Sequence, residues 1–322
     1  METFIAYRLP HSKIPQLQKG IGKWIANIDE ASSEGIIFHS FNGNKILNIS
    51  ELSVCNESEF SCSTGSDIST EHNKADYLAK FESLQIAIAS GKFKKVILSR
   101  TKTVLTDRDA LTIFKQLNEH YPNTLNYVIS NAELGTWIGA TPELLLSVAR
   151  SHLKTMSLAG TKTPKEAWSE KEFEEQLLVT DTILKGLQDS QCQNIVIDGP
   201  QTIQAGNIEH LLTSIEADLA HKNDWTPVLK NLHPTPAVCG IPTEKAKVFI
   251  PELENYDREF YTGFIGIMNE SRKDFYVNLR CMQLFDKSAK LYVGGGITAQ
   301  SNGEAEWNET ERKAETMARV LR

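Results

Sequence analysis

The stretch Tyr292-Val-Gly-Gly-Gly-Ile-Thr298 leads into the last predicted helix of the chain, which runs from about Glu304 to Leu321. Residues three and four apart share one face of a helix. Glu306, Glu309 and Lys313 therefore form one stripe of two carboxylates and an ammonium group. This arrangement places charged side chains directly after a glycine-rich backbone segment.

A second acidic helix is predicted by Ser169-Glu-Lys-Glu-Phe-Glu-Glu-Gln-Leu-Leu178, in which Glu172 and Glu175 have the same i,i+3 spacing. Two helices that each carry a carboxylate pair beside an apolar run would suit one hard divalent cation, because Mg²⁺ takes oxygen ligands. The alternative is that both helices present solvated acidic faces, as most helical charge runs do. Spacing alone leaves both interpretations open.

Composition limits the class of ligand. The 322 residues include 34 basic and 41 acidic side chains, for a net charge of −7. A general nucleic-acid binder needs a basic surface to neutralise phosphates, so we expect no nucleic-acid partner. An anionic small molecule remains possible, because local charge decides its binding.

The cysteines and the N-terminus indicate a cellular location. The five cysteines are scattered and include no Cys-x-x-Cys pair, which favours free thiols in a reducing compartment. Residues 1–10 lack the features of a signal peptide, and no apolar run is long enough to span a bilayer. We therefore expect a cytoplasmic protein without a membrane partner.

The order of predicted elements indicates an α+β fold. Residues 1–73 form a short N-terminal segment that contributes strands and ends in a polar loop. Residues 74–322 form one catalytic domain without an internal linker. Its strand-rich blocks alternate irregularly with helices, without the strict βαβ rhythm of a doubly wound fold.

Lys95 and Glu143 are candidates for proton transfer. Lys95 lies in the apolar strand Lys94–Arg100, and a lysine in a partly dry pocket can act as a base near neutral pH. Glu143 follows Thr141-Pro142 at a strand entrance, where apolar neighbours would raise its pKa and let it donate a proton. The alternative for Lys95 is that it lies at the exposed start of a strand, and the alternative for Glu143 is that it lies in a solvated turn.

Other residues could hold an anion. Arg280, in an apolar strand, needs either a substrate carboxylate or a buried protein carboxylate as its partner, and Tyr261 could offer a hydroxyl to the same anion. The segments 158–161 and 294–297 are rich in small residues, so their backbone can approach a ligand closely. Neither matches a Walker loop or a dinucleotide fingerprint. Histidines such as His210 and His233 are more often structural; His233 is kept as a substrate-binding candidate.

Taken together and in order, these motifs resemble the chorismate-binding enzymes, most closely the isochorismate synthases. The resemblance covers about residues 74–322, whereas residues 1–73 match poorly. The motifs are Lys94–Arg100, Ala140–Glu143, Ser157–Thr161, Glu172–Glu175, Leu232–Pro242, Arg258–Gly263, Val277–Arg280, Tyr292–Ile297 and Glu304–Lys313.

The resemblance implies two large antiparallel sheets stacked face to face with helices outside. It implies that Lys95 is the general base, Glu143 the general acid, and Glu175 and Glu309 the Mg²⁺ ligands. It also implies that Glu172 and Glu306 hold metal-bound waters. The positions that match substrate-binding residues are Gly160, Thr161, Tyr261, Arg280, Gly295, Gly296 and Lys313.

The implied activity is conversion of chorismate to isochorismate by Mg²⁺-assisted addition of water at C2 with loss of the C4 hydroxyl. Relatives that install an amino group use ammonia from a glutaminase partner and do not have a lysine at this site. A lysine at position 95 therefore resembles the branch of the family that uses water, and no glutaminase subunit is expected. The alternatives are a salicylate synthase, an anthranilate or aminodeoxychorismate synthase component, or a silent ligand-binding protein. The sequence shows no siderophore-specific appendage, which favours menaquinone biosynthesis, and we expect a monomer.

Overall fold

The computed structural model describes residues 1–65, 73–205, 208–221 and 224–322, apart from the side chains at positions 161, 171, 205 and 208. These ranges contain six α-helices: α1 (Lys74–Ala89), α2 (Ala110–His120), α3 (Glu170–Asp189), α4 (Thr226–Leu232), α5 (Thr243–Glu254) and α6 (Gly303–Ala318). Within the same ranges, none of the helices combines the length and the apolar character needed to cross a lipid bilayer.

The described residues also contain sixteen strands. They are β1 (Glu2–Arg8), β2 (Gln16–Ile25), β3 (Gly35–His39), β4 (Ile46–Val54), β5 (Lys95–Leu105), β6 (Leu125–Asn131), β7 (Gly135–Thr141), β8 (Leu144–Ala149), β9 (His152–Lys162), β10 (Gln193–Ala205), β11 (Ile208–Asp218), β12 (Gly240–Ile241), β13 (Phe264–Met268), β14 (Arg272–Val277), β15 (Cys281–Leu284) and β16 (Ser288–Thr298). The combination of helices and strands confirms the predicted α+β class.

Local capping explains where the two acidic helices begin. Ser169 and Glu172 form a capping box at the start of α3, which satisfies backbone N–H groups that have no partner inside the helix. Asn302 accepts a hydrogen bond from the backbone N–H of Ala305 at 3.1 Å and starts α6 in the same way. The helix predicted from about Glu304 is therefore confirmed, one residue earlier than expected.

The sixteen strands form one hydrogen-bonded series, and every pairing between neighbours is antiparallel. The order is β10-β11-β9-β8-β14-β13-β3-β4-β2-β1-β6-β7-β15-β16-β5-β12. The prediction of two separate sheets therefore differs from the hydrogen bonding. The reason is that β1, β2 and β4, which come from the N-terminal segment, lie in the middle of the series and join its two halves.

The series folds back on itself, and this creates a core between its halves. β3 and β7 are five strand positions apart, which would separate them by about 24 Å in a flat sheet. The rings of Phe38 on β3 and Trp137 on β7 nevertheless have centroids only 6.0 Å apart. The two halves must therefore face each other across these buried aromatic side chains.

One predicted strand is divided, and this changes the position of Arg280. The sequence predicts a continuous strand over Asp274–Phe285, but the structure has β14 and β15 with a break between them. Arg280 has a φ of 47° in this break, so it lies in a left-handed turn rather than within a strand. The sequence also predicts a strand over Tyr261–Met268. In the structure this strand is β13 and begins only at Phe264, after a turn in which Thr262 has a φ of 61°.

Candidate active site

A cavity of about 520 Å³ brings the separate sequence motifs together. Its walls come from α3, α6, β5, β16 and the turns around Tyr261 and Arg280. The predicted site residues that line it are Lys95, Glu172, Glu175, Tyr261, Arg280, Gly295, Gly296, Glu306, Glu309 and Lys313. Residues that are up to 218 positions apart along the chain, such as Lys95 and Lys313, therefore share one concave surface.

Lys95 lies at the start of β5, where pairing with β16 and β12 fixes it between Thr298 and Ile241. The side chain is buried, and its Nζ lies 2.7 Å from Oε1 of Glu175 on α3. A Cβ added at Gly296 would lie 2.7 Å from Cε of Lys95 and 3.2 Å from the same Glu175 oxygen. Glycine therefore leaves room for this ion pair, whereas a side chain at position 296 would push the end of Lys95 aside.

Glu143 is a buried carboxyl whose pKa lies well above its usual range. It is only 3 % exposed, and burial raises its pKa to about 7, although the nearby positive charge of Lys95 acts in the opposite direction. Its backbone carbonyl accepts a hydrogen bond from the N–H of Val277, which fixes the entrance to β8. A carboxyl with this pKa can donate a proton near neutral pH.

The four carboxylates of α3 and α6 line the same cavity, but each is held by its own surroundings. Glu175 pairs with Lys95 and Glu309 pairs with Lys313, in both cases at 2.7 Å. Glu172 accepts the backbone N–H of Ser169 at 2.9 Å. Oε2 of Glu306 would lie 3.0 Å from a Cβ added at Gly295. Among the described residues, no group of three or more acidic, histidine or cysteine side chains is already gathered around one point.

Arg280 is the clearest candidate for an anion-binding residue. It lines the cavity, burial lowers the pKa of its guanidinium, and it forms no hydrogen bond or ion pair with any side chain that the structure describes. The predicted alternative, a buried protein carboxylate as partner, is therefore not found in those residues. Tyr261 is 4 % exposed in the same wall. Lys313 donates to the carbonyl of Gly294 at 3.1 Å.

His210 lies in the cavity wall, although it was not among the predicted site residues. Its Nδ1 lies 3.0 Å from the carbonyl oxygen of Gly160. Burial lowers its pKa to about 4, and the charges of Arg280 and Lys313 act in the same direction, so the ring is neutral at pH 7. The available sequence signal was a histidine placed between the apolar positions Ile208 and Leu211.

Three predicted substrate-binding residues lie elsewhere. Gly160 is not part of the cavity wall; it has a φ of 69° and lies against the backbone of Glu172, which brings β9 close to α3. The side chain of Thr161 lies outside the described residues. His233 is also absent from the wall, and its ring packs edge-on against His39 and Phe264. A structural histidine, the more common case, accounts for that packing.

Comparison with known proteins identifies the family of this chain. The family model described as "Chorismate binding enzyme" matches residues 42–322. Isochorismate synthase EntC of Escherichia coli strain K12 is 32% identical over 248 residues, which cover 72% of this chain and 63% of that protein. The chain therefore spans slightly less than two thirds of the length of this curated relative.

Solved structures show the same fold. The menaquinone-specific isochorismate synthase MenF of Escherichia coli superposes with a TM-score of 0.82 at 20% identity, covering 99% of this chain and 89% of that one. Component I of anthranilate synthase from Streptococcus pneumoniae gives a TM-score of 0.73 at 19% identity, covering 90% and 81%. Because these two neighbours are named for different reactions, the shared fold does not choose between activities.

An α+β protein with carboxylate and cationic side chains around one cleft has the architecture of an enzyme that acts on a small molecule. More specifically, the match over residues 42–322 shows that this chain belongs to the chorismate-binding enzymes.

Proposed function

We propose that the protein is an isochorismate synthase. The observation that carries the proposal is that Glu143 is a buried carboxyl with a pKa raised to about 7, close enough to the buried Lys95 for the charge of the lysine to act on it. Hydroxyl transfer on a ring needs one group that takes a proton from water and another that gives a proton to the departing hydroxyl. Lys95 supplies one of these groups from β5, and Glu143 supplies the other from the turn between β7 and β8.

The reaction follows from these roles. Lys95 acts as the neutral amine, after the proton of its ion pair with Glu175 has been lost to solvent. Water attacks C2 of chorismate, its proton goes to Lys95, and the electron pair of the diene shifts as the C4 oxygen leaves. Glu143 gives its proton to that oxygen, which departs as water. Atoms balance, because one water enters and one leaves, and the product is the isomer isochorismate.

The substrate is a dianion, so its binding needs cations and N–H donors on a protein of net charge −7. Arg280, which has no anionic partner in the described residues, would hold one carboxylate bidentately. Tyr261 and Lys313 would add a hydroxyl and an ammonium group. The backbone of Gly295 and Gly296 can approach the ring because neither carries a side chain.

Mg²⁺ is the proposed cofactor, and the donor set fits it, because carboxylate oxygens on one wall are what this cation prefers. Glu175 and Glu309 would be its direct ligands, and Glu172 and Glu306 would hold its waters. When bound, the cation would neutralise the ring carboxylate and make C2 more electrophilic. The ion pairs of Glu175 and Glu309 with lysines balance the charge of these carboxylates in the structure described here.

Product identification tests the proposal. Purified protein is incubated with chorismate and Mg²⁺, and the products are separated by chromatography, with a Lys95→Ala variant as control. Isochorismate formation by the wild-type protein alone is expected. Salicylate with pyruvate would instead indicate a salicylate synthase, and an aminated product with ammonium would indicate the anthranilate or aminodeoxychorismate class. A chorismate-dependent rise in Tm without consumption would indicate a silent binding protein.

Cellular context belongs to the same proposal. We place the enzyme in the cytoplasm, as a monomer that acts without a glutaminase subunit, and we assign its product to menaquinone biosynthesis. Gene deletion followed by quinone analysis tests the pathway, because loss of a siderophore with normal menaquinone would contradict it. Light scattering of the purified protein tests the oligomeric state.

A further inference from the structure

The cavity is longer than the proposed chemistry requires. Along α6, its wall begins at Glu306 and continues to Arg319, a distance of about 20 Å at 1.5 Å per residue. The residues assigned to the cation and substrate end at Lys313, after about 10 Å. An outer half of similar length therefore leads from the buried Lys95 end towards solvent.

Two arginines form the solvent end of this outer half. Arg312 and Arg319 are both exposed and both line the cavity. They are seven residues apart, which is close to two helical turns, so their side chains start from the same face of α6. Neither side chain forms a hydrogen bond or an ion pair within the part of the chain that the structure describes.

The acidic side chains near this end are already engaged. Glu315 pairs with Arg322 at 2.9 and 3.3 Å. Glu166 accepts the backbone N–H of Thr163 at 2.8 Å, and the charge of Arg312 contributes to lowering its pKa. Arg322 balances the charge of Glu315, so two guanidinium groups face the single remaining carboxylate of Glu166, and a net positive charge is left to attract an anion from solvent.

We propose that Arg312 and Arg319 form an anion-collecting mouth, which draws a small dicarboxylate towards the inner end of the cavity. The ligand class rests on the proposed function, because the substrate of that reaction is a dianion. A dianion is repelled by the net charge of −7, so a local positive field at the entrance raises its concentration where it must enter. The assignment adds two residues that act before the substrate reaches Arg280.

The expected size follows from Coulomb's law. A unit charge attracts a dianion about 10 Å away in water strongly enough to change its local concentration about fourfold without salt. Screening reduces this factor to about threefold at 0.01 M ionic strength and to about 1.5-fold at 0.15 M. Removing both charges should therefore lower kcat/KM about sevenfold at low salt, with little change in kcat.

The test compares Arg312→Gln, Arg319→Gln and the double variant with Arg150→Gln. Arg150 is exposed and lies outside the cavity wall, so its substitution changes the net charge equally without changing the mouth. We expect kcat/KM for chorismate to fall with increasing salt in the wild-type and Arg150→Gln proteins, and to be nearly independent of salt in the double variant. A double variant that keeps the wild-type salt dependence would overturn the proposal, as would an equal effect of Arg150→Gln.

A binding measurement keeps the inference separate from the activity. The affinity of each protein for benzene-1,3-dicarboxylate is measured by calorimetry at 0.01 and 0.5 M KCl. The mouth is supported if the double variant binds more weakly than the wild-type protein at 0.01 M KCl but equally well at 0.5 M KCl. This outcome supports the mouth even if the wild-type protein converts no chorismate. Equal affinities at both salt concentrations would refute the mouth, even if the protein is an active isochorismate synthase.

Discussion

The protonated state of Glu143 has a consequence for stability that can be measured without any substrate. Burial raises the pKa of this carboxyl from 4.5 to about 7, so the folded protein disfavours its ionised form. Glu143→Gln replaces it with an amide of nearly the same shape that never ionises. The variant should therefore resemble the wild-type protein at acidic pH and differ from it at alkaline pH.

The sign and size follow from linkage. Between pH 4.5 and about 7 the unfolded chain loses this proton while the folded chain keeps it, so the contribution to the free energy of unfolding falls as pH rises through this window. At about 1.36 kcal/mol per pKa unit, the loss is about 3 kcal/mol. Glu143→Gln should be spared this loss and become about 3 kcal/mol more stable, relative to the wild-type protein, between pH 4.5 and pH 8.5.

Urea unfolding at several pH values, followed by circular dichroism, measures this difference. Glu82→Gln is the matched control, because Glu82 is an exposed carboxyl on α1 and its substitution should change stability by a similar small amount at every pH. The same Glu143 variant should lose about 10²- to 10⁴-fold in turnover, because it has no proton to give. A stability difference that does not depend on pH would show that Glu143 is ionised in the folded protein and would refute its role as the acid.

Two further substitutions probe other parts of the site, and a third probes the core beneath α1. Lys95→Ala should reduce chorismate turnover by at least about 10²-fold with an unchanged far-ultraviolet circular dichroism spectrum; a near-normal rate would contradict its role as the base. Glu309→Gln should raise the Mg²⁺ concentration for half-maximal turnover by about tenfold or more, and a larger effect on Tm than on this concentration would argue for a structural role. The Tyr77 hydroxyl is buried without a hydrogen-bond partner among the described residues, so Tyr77→Phe should keep or raise Tm. A fall of several degrees would show that this hydroxyl is bonded.

The elements that the sequence predicts well are those with strong local signals. α1 has a clear apolar period, an N-cap at Asn73 and Gly91 just past its end, and it is found at Lys74–Ala89. The same holds for α6 and for the apolar strand that begins at Lys95. In these segments local preference and tertiary packing favour the same structure, so a pattern of residues is sufficient.

The break before β15 could not be predicted, because distant residues hold it. Asn278 donates to the carbonyl of Phe260 at 2.8 Å and accepts from the hydroxyl of Tyr127 at 2.6 Å. Both partners are far away in sequence, and no glycine marks the left-handed turn at Arg280. The residue type of this anion-binding candidate was therefore predictable, whereas the turn that presents it to the cavity was not.

Charge at the inner end of the cavity links the two proposed ligands. Among the described residues that we assign to the cation and the substrate, four carboxylates of α3 and α6 face three cationic side chains, Lys95, Arg280 and Lys313. Lys162 also lines the cavity, but its charge is balanced by an ion pair with Glu209, so one formal negative charge is left. A dianion alone would enter a region of its own sign, whereas a divalent cation reverses that sign first. On the proposed function, Mg²⁺ must therefore raise the affinity for substrate, and by linkage the substrate must raise the affinity for Mg²⁺ by the same factor. The acidic helices are then suited to a cation whose affinity rises when the dicarboxylate is bound.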